Sequence, residues 1–253
     1  MHRTIKRGLL ITAVLGLVLA CNPAYNLMSG DYRNQEISPE ALSVDSVIVR
    51  IIVPYKEKLD AEMNHVIGFA QTDLFKGKPE SGLTNLLADL ILEESIRITG
   101  KQNVRADLAF LNYGGIRTGI PQGEITVRKI YEIMPFENEL VVIQLAGAEV
   151  QQFLDLIASR GGESLSGGRF RISEGKAIDV TIGGKPLDPA GKYWLATSDY
   201  VADGGDSYAM LQNSIQRINT SEKIRDVMIR YFDRTHAEGE ITNPVTDGRI
   251  VNE

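Results

Sequence analysis

The chain has 253 residues, with 33 acidic against 27 basic side chains and a formal net charge of −6. That balance argues against a nucleic-acid partner, because a phosphate backbone demands a basic surface. A single cysteine excludes an internal disulfide, and three histidines leave little material for a hydrolytic metal centre.

Residues 1–20 read as a secretory signal. Arg3, Lys6 and Arg7 precede an apolar run from Gly8 to Ala20 that is too short for an ordinary membrane-spanning helix. Val18, Leu19 and Ala20 ahead of Cys21 resemble the bacterial lipobox, which implies a diacylated Cys21 and an exported lipoprotein of the cell envelope, periplasmic or surface-facing. The competing reading is a cleaved soluble signal with an incidental cysteine. Loss of residues 1–20 removes three cations and takes the formal charge from −6 to −9. Residues 21–44 are polar and without period, as expected of a flexible tether. The remainder, 45–253, is about 210 residues long, enough for one domain with a substantial core.

Within that domain, Val47–Val53 is β-branched and apolar and predicts a strand broken by Pro54; Lys56–Asn64 allows a short helix and His65–Gln71 a strand. Leu83, Leu86, Leu87, Leu90 and Ile91 repeat at i, i+3, i+4, i+7 and i+8, which predicts a helix closed by Gly100. Asn85 and Asp89 share one of its faces, a turn apart. Leu108–Asn112 is a short apolar strand running into a double-glycine turn. Thr126 caps a brief helix that Pro135 ends, and Leu140–Leu145 is a strand. Val150, Phe153, Leu154 and Ile157 mark a further amphipathic helix, finished by Gly161 and Gly162. Ala177–Ile182 enters a hairpin at Gly183 and Gly184, Tyr193–Ser198 is a strand, and Ile224 to Phe232 line the last helix. The mixture predicts an α/β (α+β) domain with a mixed β-sheet and flanking helices.

Common catalytic signatures are missing. His2 falls in the signal, His65 opens a strand and His236 sits in a polar stretch, so no paired-histidine spacing for zinc exists. Neither a Gly-x-Ser-x-Gly elbow nor a phosphate-binding glycine loop of the P-loop or dinucleotide type occurs. What remains is three polar or aromatic clusters at element ends. Asn112, Gly114, Gly115 and Arg117 place an amide and a guanidinium across one tight turn, where glycines let backbone N–H groups approach a ligand; an ordinary strand-end turn with a solvent-facing arginine reads equally well. Phe136 follows the Pro135 helix stop, where an isolated phenylalanine taken alone is more often a core residue. Tyr200, Gly204, Gly205 and Asp206 put a ring and a carboxylate around one bend, which suits a ligand with a flat face and hydroxyls.

Taken in order, Asn112–Arg117, Pro135–Phe136 and Tyr200–Asp206 resemble the C-terminal substrate domain of 5′-nucleotidases. Pro79–Asp89 looks like that family's first helix, Gly183–Leu187 its hairpin and Asp247–Ile250 its closing strand, so the resemblance covers roughly residues 45 to 251. It implies that Phe136 and Tyr200 sandwich a base, Asp206 grips ribose hydroxyls, Asn112 lies near base and ribose, and Arg117 faces the phosphate. Gly114, Gly115, Gly204, Gly205, Asn85 and Asp89 support them. Tyr200 stands where the family has Phe, Tyr113 where it has Gly and Asp203 where it has Asn; an arginine before the first helix is missing, with Lys76 or Lys78 as partial replacements. Complete members place a two-metal phosphoesterase domain ahead of this one. The resemblance therefore implies nucleotide recognition by this chain and no metal in it, with divalent metals carried by a separate metallophosphoesterase chain; a stand-alone nucleoside- or nucleotide-binding lipoprotein is the alternative.

Overall fold

The computed structural model describes residues 46–253; the segments expected to be a signal and a tether, with Cys21, lie outside the described residues. Helix α1 (Ser46–Met63) opens it and runs through Pro54. This corrects the strand expected at Val47–Val53. A strand needs a neighbour for its backbone groups, and no described strand pairs with this run, whereas a helix satisfies its own N–H and C=O groups. No residue of α1 is buried.

The unit Ile51–Glu253 is built on a five-stranded mixed sheet. Its spatial order is β10 (Gln216–Lys223), β4 (Glu139–Ala146), β9 (Lys192–Ser198), β2 (Leu108–Leu111), β5 (Ser164–Ser166). β9 runs parallel to β2, and every other pairing in that sheet is antiparallel. A four-stranded sheet follows the order β11 (Ile250–Asn252), β6 (Gly168–Ser173), β7 (Lys176–Ile182), β8 (Lys185–Pro186), with β11 parallel to β6. β1 (Val66–Ala70) and β3 (Gly123–Thr126) make an antiparallel pair. Pro186 sits on an edge strand, where its missing N–H costs no ladder bond. Gly183 and Gly184, both at positive φ, turn β7 into β8 as the two-residue hairpin expects.

Strand alternation divides the core in two. Leu140 and Val142 of β4 point to one face, Val141, Ile143 and Leu145 to the other, and all five are buried. The first face packs against α2 (Gly82–Thr99), α3 (Val127–Ile133) and α6 (Ile224–Ala237) through Leu83, Leu87, Ile130, Val227 and Phe232. The second packs against α4 (Gly147–Ser159) through Val150, Phe153, Leu154 and Ile157. Ser81 caps α2 by accepting from the Thr84 N–H while Thr84 answers the Ser81 N–H, and Thr126 caps α3.

On the second face Phe110, Phe153 and Tyr208 form a ring cluster, with Phe110 5.0 Å from each of the other two centroids in edge-on contact. Tyr208 is fully buried, so it pins the chain two residues beyond Asp206 to the core. Burial, then the charge of the neighbouring Glu163, pushes its hydroxyl well above the usual tyrosine range. No helix among the described residues is long and apolar enough to cross a membrane.

Candidate functional site

Two chain turns and one inter-element loop converge at the ends of the central strands. β2, an interior strand buried along its whole length, delivers Asn112, itself 7% exposed, just past its C-terminal end. The Gly115 N–H closes the first turn on the Asn112 carbonyl at 2.9 Å. A Cβ on Gly115 would stand 2.7 Å from Asn112 Oδ1, so only glycine lets the chain fold this closely over that amide. Arg117 continues from the turn. Its backbone N–H bonds Ile133, its Nη1 donates to the Gly114 carbonyl at 3.1 Å, and its guanidinium carbon lies 6.0 Å from the centre of the Phe136 ring.

The second turn carries Tyr200 and Asp206. Ser198 caps the one-turn helix α5 (Asp199–Ala202) by accepting from the Val201 N–H at 3.1 Å. Gly204 at φ +88° then reverses the chain, and Asp206 itself takes a left-handed conformation at φ +49°. The Tyr200 hydroxyl donates to Asp206 Oδ1 at 3.0 Å and accepts from the Asp206 N–H at 3.2 Å. Gly205 passes directly beneath the ring: a Cβ there would lie 2.5 Å from Tyr200 Cε1 and equally close to its carbonyl oxygen. The two turns meet where Asn112 Nδ2 donates to Asp206 Oδ2.

The third piece is Pro135–Asn138, between α3 and β4. Phe136 is 42% exposed, which answers in favour of a surface ring rather than a core one; Tyr200 is 46% exposed. The loop is held from α6. Arg225 donates to the Pro135 carbonyl at 3.4 Å and pairs with Glu137, Lys223 pairs with the same carboxylate, and the Ile224 N–H bonds the Asn138 carbonyl at 3.0 Å. Arg225 is buried, with its guanidinium 4.1 Å from the Tyr131 ring centre.

Asn112, Gly114, Gly115, Arg117, Phe136, Tyr200 and Asp206 line a single open cleft of about 350 Å³, joined by Asn138. Asn138 has no part in the sequence-based expectation; its one signal is an amide two residues past the Phe136 ring. The lining is chemically divided: two rings, two amides, one carboxylate and one guanidinium. Such a set can stack a flat group, hold hydroxyls and meet an anion.

Asn85 and Asp89 lie elsewhere. Asn85 is buried and donates to Glu80 and to the Val245 carbonyl, while Asp89 forks onto Arg249 at 2.7 and 3.0 Å and accepts from Ser166. They tie α2 to the C-terminal segment and do not line the cleft. Lys76 and Lys78 stand behind the first turn. Lys76 donates to the Tyr113 and Ile116 carbonyls at 3.1 and 2.7 Å and sits 4.2 Å from the Tyr113 ring centre; Lys78 bonds the Arg160 carbonyl. Burial, then the charges of Arg117 and Lys78, lower the Lys76 pKa. Both lysines brace the turn and leave Arg117 as the cation in the lining. The described residues do not fit a two-metal centre: no group of three or more His, Cys, Asp or Glu among them could hold a metal ion.

With this geometry in hand, comparison with known proteins places the chain among relatives. Residues 66–213 match the family described as 5′-nucleotidase, C-terminal domain. The chain is 30% identical over 221 residues to protein UshA of Yersinia enterocolitica, covering 84% of this chain and 38% of that protein. It is 28% identical over 229 residues to a 5′-nucleotidase of Vibrio vulnificus, covering 87% and 40%. Among solved structures, the 5′-nucleotidase precursor of Thermus thermophilus superposes with a TM-score of 0.66 at 29% identity, over 85% of this chain and 44% of that one. The chain thus spans about two fifths of the length of the curated relatives it matches.

Proposed function

Because the chain belongs to the 5′-nucleotidase C-terminal domain family, we propose that its cleft binds the nucleoside portion of a nucleotide, with the base between Phe136 and Tyr200. The observation that carries this reading is the convergence of those two exposed rings with Asn112, Asp206 and Arg117 on one cleft. Base stacking on a ring is worth about 1–3 kcal/mol and tolerates base identity. Asp206 offers a carboxylate acceptor for ribose hydroxyls, Asn112 holds that carboxylate in place, and Arg117 supplies a fork for the phosphate.

Hydrolysis, on this reading, comes from a separate metallophosphoesterase chain that carries the divalent metals, so that recognition and chemistry are split between two proteins of nucleotide catabolism. The donor set described above supports the division, since nothing in it suits a metal-bound nucleophile. Cys21 is the proposed lipid attachment that keeps the protein in the cell envelope. The test has two arms. Equilibrium binding of adenosine and AMP to the purified chain tests recognition. Phosphate release from AMP, with the chain alone and after mixing with a metallophosphoesterase chain of the same organism, tests the division. Binding with stimulated turnover supports the split enzyme; binding without stimulation leaves a stand-alone nucleoside-binding protein.

A further inference from the structure

One ion pair touches both turns of the cleft from behind. α4 ends at Arg160, and Gly161 and Gly162, at φ +78° and +99°, reverse the chain so that Glu163 comes back beside it. Gly162 makes this possible through close packing: a Cβ there would lie 2.1 Å from the Pro79 carbonyl oxygen. Arg160 Nη1 stands 3.3 Å from Glu163 Oε1. Arg160 Nη2 donates to the backbone carbonyl of Asp206 at 2.5 Å. Glu163 Oε2 accepts from the backbone N–H of Tyr113 at 2.8 Å.

Each member of the pair therefore holds the backbone of a different turn, one bearing Asp206 and the other lying between Asn112 and Arg117. Neither side chain lines the cleft. Glu163 is 3% exposed, so its charge is compensated by Arg160 and by the Tyr113 N–H instead of by water. The Arg160 guanidinium is fixed in turn over the Tyr208 ring at 4.8 Å, and its carbonyl receives Lys78. A planar guanidinium suits this place, because it can address a carbonyl and a carboxylate in fixed directions at once.

We propose that Arg160 and Glu163 are a positioning pair that sets the spacing of the Asn112 and Asp206 turns and so the shape of the hydroxyl-gripping site. The ligand arm of its test rests on the nucleoside reading; the geometric arm does not. In ¹H–¹⁵N spectra of the full chain, Arg160→Met shifts the Tyr113 amide and the amides of residues 205–207 together, although these groups are on separate turns. Adenosine affinity falls about tenfold, the size of a coupling within one shared network, and the same substitution in an Asp206→Ala background costs less than about twofold. The double variant Arg160→Met/Glu163→Gln removes both charges and avoids an orphaned buried carboxylate; it serves if the single variant fails to fold. A folded variant in which either turn keeps its wild-type amide positions overturns the proposal, as does unchanged adenosine affinity where the wild type binds. A wild type that binds neither adenosine nor AMP overturns the nucleoside reading, and the amide shifts then decide the positioning role alone.

Discussion

Asn112 donates its side-chain amide to Oδ2 of Asp206 across 2.5 Å, joining two turns that are 94 residues apart in the chain. With the Tyr200 hydroxyl on Oδ1, both carboxylate oxygens are engaged and the group has a fixed orientation toward the cleft. A preoriented carboxylate loses little freedom when a ligand arrives, which is how rigid sites gain affinity.

Gly205→Ala places a methyl group 2.5 Å from both the Tyr200 ring and its carbonyl oxygen, so ring and backbone have to move. Overpacking of this kind costs about 1–3 kcal/mol, and the stacking contact goes with it. Gly114→Ala is the matched comparison, since its Cβ would meet Asp206 Oδ2 at an ordinary 3.5 Å. Thermal melting should show Gly205→Ala clearly destabilised and Gly114→Ala close to wild type. Equal melting temperatures would contradict the packing described here.

Arg225→Ala should loosen the loop that presents Phe136. The guanidinium is buried and bonds the Pro135 carbonyl, so its loss costs about 1–3 kcal/mol of stability; the pair with Glu137 adds little, because that carboxylate is largely exposed. Phe136→Ala, by contrast, removes an exposed ring and should leave stability nearly unchanged while lowering ligand affinity. Urea denaturation separates the two, and a destabilised Phe136→Ala would mean the ring is structural.

Asp247 gives a pH signature. Hydrogen bonding from Arg249, reinforced by the charges of Arg249 and Arg169, holds its carboxyl below the usual carboxylate range. A pKa lower in the folded than in the unfolded state means that the contribution to stability is complete above the unfolded value of about 3.9 and is lost as pH falls through the folded value. The stability difference between wild type and Asp247→Asn should therefore be constant from pH 7 to about 5 and shrink below about 4. Urea midpoints at three pH values check this, and a difference that grows on acidification would be the wrong sign.

Cys21→Ala tests the envelope anchor. The expectation comes from Val18–Ala20 ahead of a lone cysteine behind three cations. In whole cells the wild type should partition into the detergent phase and the variant into the aqueous phase or remain unprocessed. Unchanged partitioning would rule out lipidation at this residue.

Much of this architecture was legible in the chain, and the reasons are local. The Leu83–Ile91 periodicity, the Thr126 cap and the paired glycines at 161–162 and 183–184 each encode an element or a turn through nearby residues. Among the features that escaped, three are instructive. Val47–Val53 has strand composition but forms part of α1. β6 alternates outward Arg169 and Arg171 with Phe170 and Ile172, a period of two too short to stand out, and β10 has Ile218 as its single apolar residue, so it carries no apolar period at all. The third is Arg160 and Glu163, which reach the backbone of residues 46 and 50 positions away and leave no trace in local pattern. The cleft residues stood out because glycine turns flag close approaches, whereas Asn138 had no such flag.

The central claim is that this cleft is a nucleoside site, and calorimetric titration of adenosine and AMP into wild type, Phe136→Ala, Tyr200→Ala, Asp206→Ala and Arg117→Ala tests it most directly. Wild type should bind both ligands. Removal of either ring should weaken both by about tenfold to a hundredfold, the equivalent of about 1–3 kcal/mol of stacking. Asp206→Ala should weaken both alike, since both carry ribose, and Arg117→Ala should weaken AMP more than adenosine, since only AMP carries phosphate. A wild type that binds neither ligand at about millimolar concentration, an affinity of only about 4 kcal/mol, or ring variants that bind normally, would contradict the account.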